Sequence, residues 1–171
     1  MIIMTTALIL AGGKSSRMGQ DKAVMLGGVE RIQRECRMAN ISRVITLCGS
    51  EIRRDRFPGD VWVDPPECNG LIDVISWALE QINDDVLMIP CDAFNLTAKG
   101  ICALIKLDNC IPTDKDGIRQ PLHARISNKS QINWQATSVN ELFVNFPDYQ
   151  NTALAQEFTN FNSPEDLRNH R

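Results

Sequence analysis

Two periods alternate along the chain. Short, nearly continuous apolar runs at residues 5–10, 44–48, 61–63 and 86–89 predict β-strands. Between them, residues 29–39, 71–82 and 97–105 carry apolar side chains at helical spacing. In the second of these segments Leu71, Val74, Ile75, Ala78, Leu79 and Ile82 fall on one helical face. Strands alternating with helices predict an α/β protein: parallel βαβ units with helices on both faces of the sheet. Such sheets bind ligands beyond the carboxyl ends of their strands. Three polar signals fall there: the loop after Leu10, Asp64 after the 61–63 run, and Asp92 after the 86–89 run.

The pattern weakens between residues 113 and 150, where a strand at 121–126 and a helix at 139–146 are expected. It sharpens again in the tail, "NSPEDL". There Ser163 is placed as an N-cap, Pro164 at the first helical position and Asp166 three residues past the cap, which predicts a short helix over 164–169. No repeat, low-complexity tract or linker interrupts the chain. Residues 1–171 are therefore expected to form a single domain.

Charge changes this picture in one place. The net charge is −3 over 171 residues, which argues against a general nucleic-acid binder. Between Ala11 and Asn40, however, six cations (Lys14, Arg17, Lys22, Arg31, Arg34, Arg37) stand against three acids, so that stretch carries +3 and the remainder −6. A local positive site in an acidic protein suits a small anionic ligand. Arg31, Arg34 and Arg37 recur every three residues and read as the solvent face of a helix. The six cysteines form no C-x-x-C pair, so a zinc site is not expected, and several sit inside apolar runs, where a free cysteine behaves as a small hydrophobe. No charged leader precedes the first strand, and no apolar run approaches the ~20 residues of a membrane span. A reduced, cytoplasmic protein without a membrane or nucleic-acid partner is the expectation. His123 and His170 form no ligand pair and read as structural or solvent-exposed.

The densest chemistry lies in "LAGGKSSRMGQDK", Leu10 to Lys22. Gly12 and Gly13 allow a sharp turn and close approach of backbone to a ligand. Successive amides in such a turn form an anion-binding nest. Lys14, Arg17 and Lys22 add mobile positive charge, and Ser15 and Ser16 add hydroxyl donors. The loop is therefore suited to a polyphosphate. It is not a Walker A loop, which needs a further glycine where Leu8 stands. Nor is it the G-x-G-x-x-G dinucleotide fingerprint.

This stretch resembles the L-A-G-G-x-S-x-R-M-G-x-D-K signature of the molybdenum cofactor guanylyltransferases and their nucleotidyltransferase relatives. "IPCDAF" (residues 89–94) resembles that family's "PCD" strand end with its metal aspartate. "FTNFNSPEDL" (158–167) resembles its "F-x-N-x-N-T-P-E-E-L" tail, and "RQPLHARIS" (119–127) its central segment. The resemblance implies a three-layer, Rossmann-like nucleotidyltransferase fold of GT-A type with a mostly parallel sheet. It implies transfer of GMP from GTP to the phosphate of molybdopterin, with Mg²⁺ as cofactor and pyrophosphate as leaving group. Molybdoenzymes or cofactor-delivery proteins would be its partners.

Leu10, Ala11, Gly12, Gly13, Ser15, Arg17, Lys22, Asp64 and Asp92 would then bind the nucleotide. Arg17 would face the leaving pyrophosphate and Lys22 the α-phosphate, with Asp21 orienting Lys22. Asp92 and Asn162 would hold the metal, and Asn160 would support the turn. Arg17, Lys22 and Asp92 would form the catalytic set. The plainer alternatives are Asp92 as an N-cap, Asp64 as a turn residue before Pro65, and the two asparagines as loop residues.

The chain departs from the family in three places. Ala93 and Phe94 follow Asp92 where a proline is usual. "NGLID" (69–73) replaces "G-P-L-A-G", leaving Asp73 where a glycine stands. Cys48, Gly49 and Ser50 occupy the region of an asparagine after the second strand. These changes bear on base selection. A cytidylyltransferase, another small-substrate nucleotidyltransferase, and a weakly active nucleotide-binding partner protein are the alternative readings.

Overall fold

The computed structural model describes residues 4–13, 23–24 and 27–159. A five-stranded sheet lies at its centre in the order β3-β2-β1-β4-β6. Its strands are β1 (Thr5–Leu10), β2 (Arg43–Gly49), β3 (Asp60–Val63), β4 (Asp85–Pro90) and β6 (Arg125–Ile126). The first four are parallel, and β6 runs antiparallel to β4. Helices α1 (Gly28–Met38), α2 (Leu71–Gln81) and α3 (Ala98–Ile105) connect them. The expected four strands and three helices are all present, each within a residue or so of its predicted bounds.

The side chains of β1 explain the layering. Successive residues of a strand point to opposite faces. Ala7 and Ile9 join one buried cluster with Val29 and Ile32 of α1 and Ile101 and Leu104 of α3. Leu8 and Leu10 join the other, with Val74, Ile75, Ala78 and Leu79 of α2 and Phe143 from the carboxyl-terminal half. A strand buried on both faces must be apolar throughout, as the 5–10 run is. The result is three layers, helices on sheet on helices.

Beyond α3 the structure departs from expectation. Residues 121–126 do not form one strand. Pro121 opens a 3-10 turn, Pro121–His123, and only Arg125–Ile126 pairs with β4. The proline supplies a fixed φ and lacks an N–H, which suits a turn and not a ladder. The expected helix at 139–146 is confined to α4 (Val139–Leu142). Ser138 caps it by accepting from the Glu141 amide at 3.2 Å. The helix stops because Phe143 and Phe146 both turn into the core and Pro147 follows. A second sheet of two-residue strands, β5 (Ile111–Pro112) and β7 (Asp148–Tyr149), was not legible from the pattern. The predicted helix at 164–169 lies outside the described residues.

All six cysteines are free. Among the described residues, no helix is long and apolar enough to cross a membrane. Arg34 and Arg37 are exposed as their spacing predicts, but Arg31 is half-buried. His123 is structural: it is 1% exposed, neither ring nitrogen has a hydrogen-bond partner, and its ring meets Phe158 edge-on at 5.7 Å.

Candidate active site

The strand order places the site. The chain moves from β1 outward through β2 to β3, then returns to the other side of β1 with β4. The carboxyl ends of β1 and β4 therefore flank a topological switch point, where open α/β sheets bind ligands. Leu10 pairs with Pro90 in register, and the Cys91 amide donates to the Leu10 carbonyl at 3.1 Å. Two residues past that pair on each strand stand Gly12 and Asp92.

At this point a cavity of about 430 Å³ opens. Gly12, Gly13, Asp64 and Asp92 line its polar side; Leu10, Leu47, Val74 and Leu122 line its apolar side. Two larger depressions, of about 630 and 720 Å³, lie at the opposite, amino-terminal ends of the strands, beside Arg43 and Asp60 in one and Thr5 and Asp85 in the other. Neither lies at the carboxyl ends of the parallel strands, so the smaller cavity is the candidate site.

The glycine loop is held by backbone contact. The Ala11 amide donates to the Leu47 carbonyl at 2.8 Å. A Cβ added to Gly12 would lie 2.9 Å from the Gly49 Cα, and one added to Gly49 would lie 2.9 Å from the Gly12 Cα. Gly49 also has φ +86°, a conformation that L side chains rarely adopt. Both positions thus require glycine. Gly13 does not, since a Cβ there would meet nothing within 4 Å. Ala11 is fully buried behind the loop and is absent from the cavity wall.

Beneath the loop lies a residue that sequence reasoning missed. Arg53, in the 3-10 segment Glu51–Arg56, donates Nε–H to the Cys48 carbonyl at 2.9 Å and an Nη2 proton to the Ala11 carbonyl at 2.7 Å. Its guanidinium also lies 5.6 Å from the Phe57 ring. One planar cation therefore joins the ends of β1 and β2. Its local sequence, charged on both sides in the 51–56 segment, reads as solvent-facing and carries no signal of this contact.

The structure sorts the open alternatives. Asp92 is not the N-cap of α3. That place belongs to Thr97, whose hydroxyl accepts from the Lys99 amide at 3.3 Å. Asp92 remains half-buried at the cavity edge. Asp64 follows β3, and its amide donates to the Gly49 carbonyl at 2.8 Å. Burial raises its carboxyl above the ordinary carboxylate range. Asp73 does not reach into the cavity; its Oδ2 accepts from the Asn69 amide at 2.8 Å and supports the amino end of α2. Leu10, Gly12, Gly13, Asp64 and Asp92 are thus gathered at one cavity. Ser15, Arg17, Asp21, Lys22, Asn160 and Asn162 lie outside the described residues.

Among the described residues, no group of three or more His, Cys, Asp or Glu side chains is placed to hold a metal. Mg²⁺ does not need one. It binds through one or two carboxylates and completes its shell with water and substrate phosphates. The hard-oxygen carboxylate of Asp92, beside a glycine turn at the cavity edge, suits such an ion and not a protein-caged one.

Residues 7–144 match the family model of the MobA-like NTP transferase domain, and the chain belongs to that family. It is 34% identical over 119 residues to a protein of Synechococcus elongatus named "Probable molybdenum cofactor guanylyltransferase". That match covers 63% of this chain and 60% of the relative, so the chain spans about three-fifths of the curated relative's length. Among solved structures, it resembles molybdopterin-guanine dinucleotide biosynthesis protein A from Archaeoglobus fulgidus, with a TM-score of 0.71 and 20% identity, covering 96% of this chain and 95% of that one. A nucleotidyl transferase from Methanothermobacter superposes with a TM-score of 0.64 at 13% identity, covering 98% and 96%. At these identities the structural likeness establishes the shared α/β fold.

Proposed function

We propose that the protein is a nucleotidyltransferase that moves GMP from GTP to the phosphate of molybdopterin, forming the guanine dinucleotide cofactor and releasing pyrophosphate. The observation that carries this reading is the meeting of Gly12 and Asp92 at one cavity, across paired strand ends. Family membership and the name of the 34%-identical relative support it.

Attack of one phosphate on another needs no protein nucleophile. The barrier lies in bringing two anions together and stabilising charge on the leaving group, so positioning and preorganised positive charge must supply the rate. In this reading the amides of Gly12 and Gly13 cradle the triphosphate, while that of Ala11 is spent on the Leu47 carbonyl and fixes the turn. Arg17 takes the leaving pyrophosphate, and Lys22 the α-phosphate. Ser15 adds a hydroxyl donor, and Asp64 meets the nucleoside. Asp92, joined by Asn162, would hold Mg²⁺, which when bound neutralises phosphate charge. The chain acts as one domain, in a reducing compartment such as the cytoplasm that suits its six free cysteines, and hands its product to a molybdoenzyme or delivery protein.

One departure bears on the choice of base. In the region where the resembled family carries an asparagine after the second strand, this chain has Cys48, Gly49 and Ser50. A cytidylyltransferase is therefore the second reading. Pyrophosphate release with molybdopterin and GTP, CTP or ATP decides between them. Release with GTP above the others supports the first reading, preference for CTP supports the second, and nucleotide binding without release would make the chain a binding protein.

A further inference from the structure

Arg31 breaks the pattern of the helix that carries it. Its neighbours Arg34 and Arg37 face solvent, but Arg31 turns inward and gives its guanidinium to two backbone carbonyls. Nη1 donates to Leu96 at 2.7 Å and Nη2 donates to Ala93. Burial lowers its pKa from the ordinary guanidinium value, and its Nε is buried with no hydrogen-bond partner. Desolvating a cation in this way is unfavourable unless the contacts it makes are strong and geometrically matched.

Both acceptors belong to the connection from β4 to α3, and Ala93 is the residue next to Asp92. One turn further along α1, the Glu35 Oε2 accepts from the Ala98 amide at 2.7 Å. The same helix therefore grips the start and the end of that connection. From the other side Glu157 Oε1 accepts from the Thr97 amide at 2.8 Å, the Thr97 hydroxyl at 2.9 Å and the Gly100 amide at 3.1 Å. The segment's own turn bonds are short-range, such as the Leu96 amide donating to the Ala93 carbonyl at 3.2 Å, and one further long-range bond runs from the Asn95 side chain to the Gln156 carbonyl at 3.2 Å.

We propose that Arg31 is a positioning residue for the metal carboxylate: by clamping the Ala93 and Leu96 carbonyls it sets the backbone that carries Asp92 relative to α1. This rests on the reading of Asp92 as the metal residue. Groups behind the ligands of a metal site characteristically alter its affinity 10- to 100-fold when removed. The planar fork reaches the Leu96 and Ala93 carbonyls through two separate nitrogens in fixed relation, a geometry that a single ammonium nitrogen lacks.

The test uses the full chain with Arg31→Lys, Arg31→Ala and, from the opposite side, Glu157→Gln. Mn²⁺ replaces Mg²⁺ so that binding is read by electron paramagnetic resonance in the presence of GTP. Hydrogen exchange of a peptide spanning residues 91–97 gives a readout independent of metal and activity. Arg31→Lys is expected to weaken Mn²⁺ binding about tenfold, to speed exchange in 91–97 at least several-fold, and to leave metal-free GTP binding within about twofold. Millimolar guanidinium is expected to restore Mn²⁺ affinity to Arg31→Ala. Unchanged exchange in 91–97, or exchange raised equally throughout the chain, would overturn the proposal. Failure of both Arg31 variants to fold while Glu157→Gln retains wild-type Mn²⁺ affinity would also overturn it. Wild type that holds no Mn²⁺ would overturn the metal reading of Asp92, whereas wild type that holds it no better than Arg31→Lys would overturn the role of Arg31 alone.

Discussion

Gly12 and Gly49 meet backbone to backbone at the ends of β1 and β2, so closely that a Cβ on either would lie 2.9 Å from the other's Cα. Gly49→Ala combines a left-handed backbone with this overlap and is expected to lower stability by about 2–4 kcal/mol. Gly12→Ala is expected to lose about 1–3 kcal/mol through overlap alone. Gly13→Ala, with open space around its Cβ, is expected to change stability by less than about 0.5 kcal/mol. Urea melts of the three variants check this order.

Arg53 joins the same two strand ends through the Ala11 and Cys48 carbonyls. Arg53→Gln is expected to destabilise the fold by about 1–3 kcal/mol, the range for hydrogen bonds made by a charged group, and to weaken nucleotide binding because the loop loses its support. Calorimetric titration with GTP, beside a thermal melt, measures both. A variant equal to wild type in each would show that the glycine contact holds the loop alone.

His123 makes stability pH-dependent in a defined direction. Burial lowers its pKa to about 3, below the ordinary 6.5. Below about pH 6.5 the unfolded chain binds a proton at this site that the folded chain refuses. Its contribution to stability is complete above that pH and falls as pH drops from 6.5 towards 3, by about 1.4 kcal/mol per pH unit. His123→Leu removes the titration and a ring whose two nitrogens lack partners. The variant is expected to lose about one proton's worth of slope between pH 6 and 4 in denaturant-melt stability, and wild-type slope in the variant would assign the dependence elsewhere.

Gly100 inverts the usual rule for helices. Alanine in place of a helical glycine ordinarily stabilises by about 0.5–1 kcal/mol. Here a Cβ would sit 2.5 Å from the Glu157 Oε1, which holds the amino end of α3. Gly100→Ala is expected to destabilise by about 1–2 kcal/mol, and to recover the helical gain once Glu157→Ala is added, in a double-mutant cycle read by thermal unfolding.

Much of this architecture is written in local pattern. The runs that became β1, β2, β3 and β4 are apolar because a parallel sheet is covered on both faces, and α2 shows its buried stripe in its spacing. The strand ends then place Gly12, Asp64 and Asp92 together without further information. What escaped is non-local. Arg31 and Arg53 look like surface arginines because the carbonyl partners of Arg31 lie 62 and 65 residues away, and one of the two partners of Arg53 lies 42 residues away. The two-residue strands β5, β6 and β7 carry no period of their own; tertiary contacts fix them. Asp73 stands where the resembled family has a glycine, but its bond to the Asn69 amide gives it a local use at the start of α2 that side-chain identity alone does not reveal.

The central claim is that the glycine turn and Asp92 hold a nucleoside triphosphate between them through a divalent ion. Calorimetric titration of GTP into wild type and Asp92→Asn, each with and without Mg²⁺, tests it most directly. The account predicts that Mg²⁺ strengthens binding to wild type at least tenfold and that Asp92→Asn abolishes this enhancement without unfolding the chain. Equal enhancement by Mg²⁺ in both proteins would contradict it.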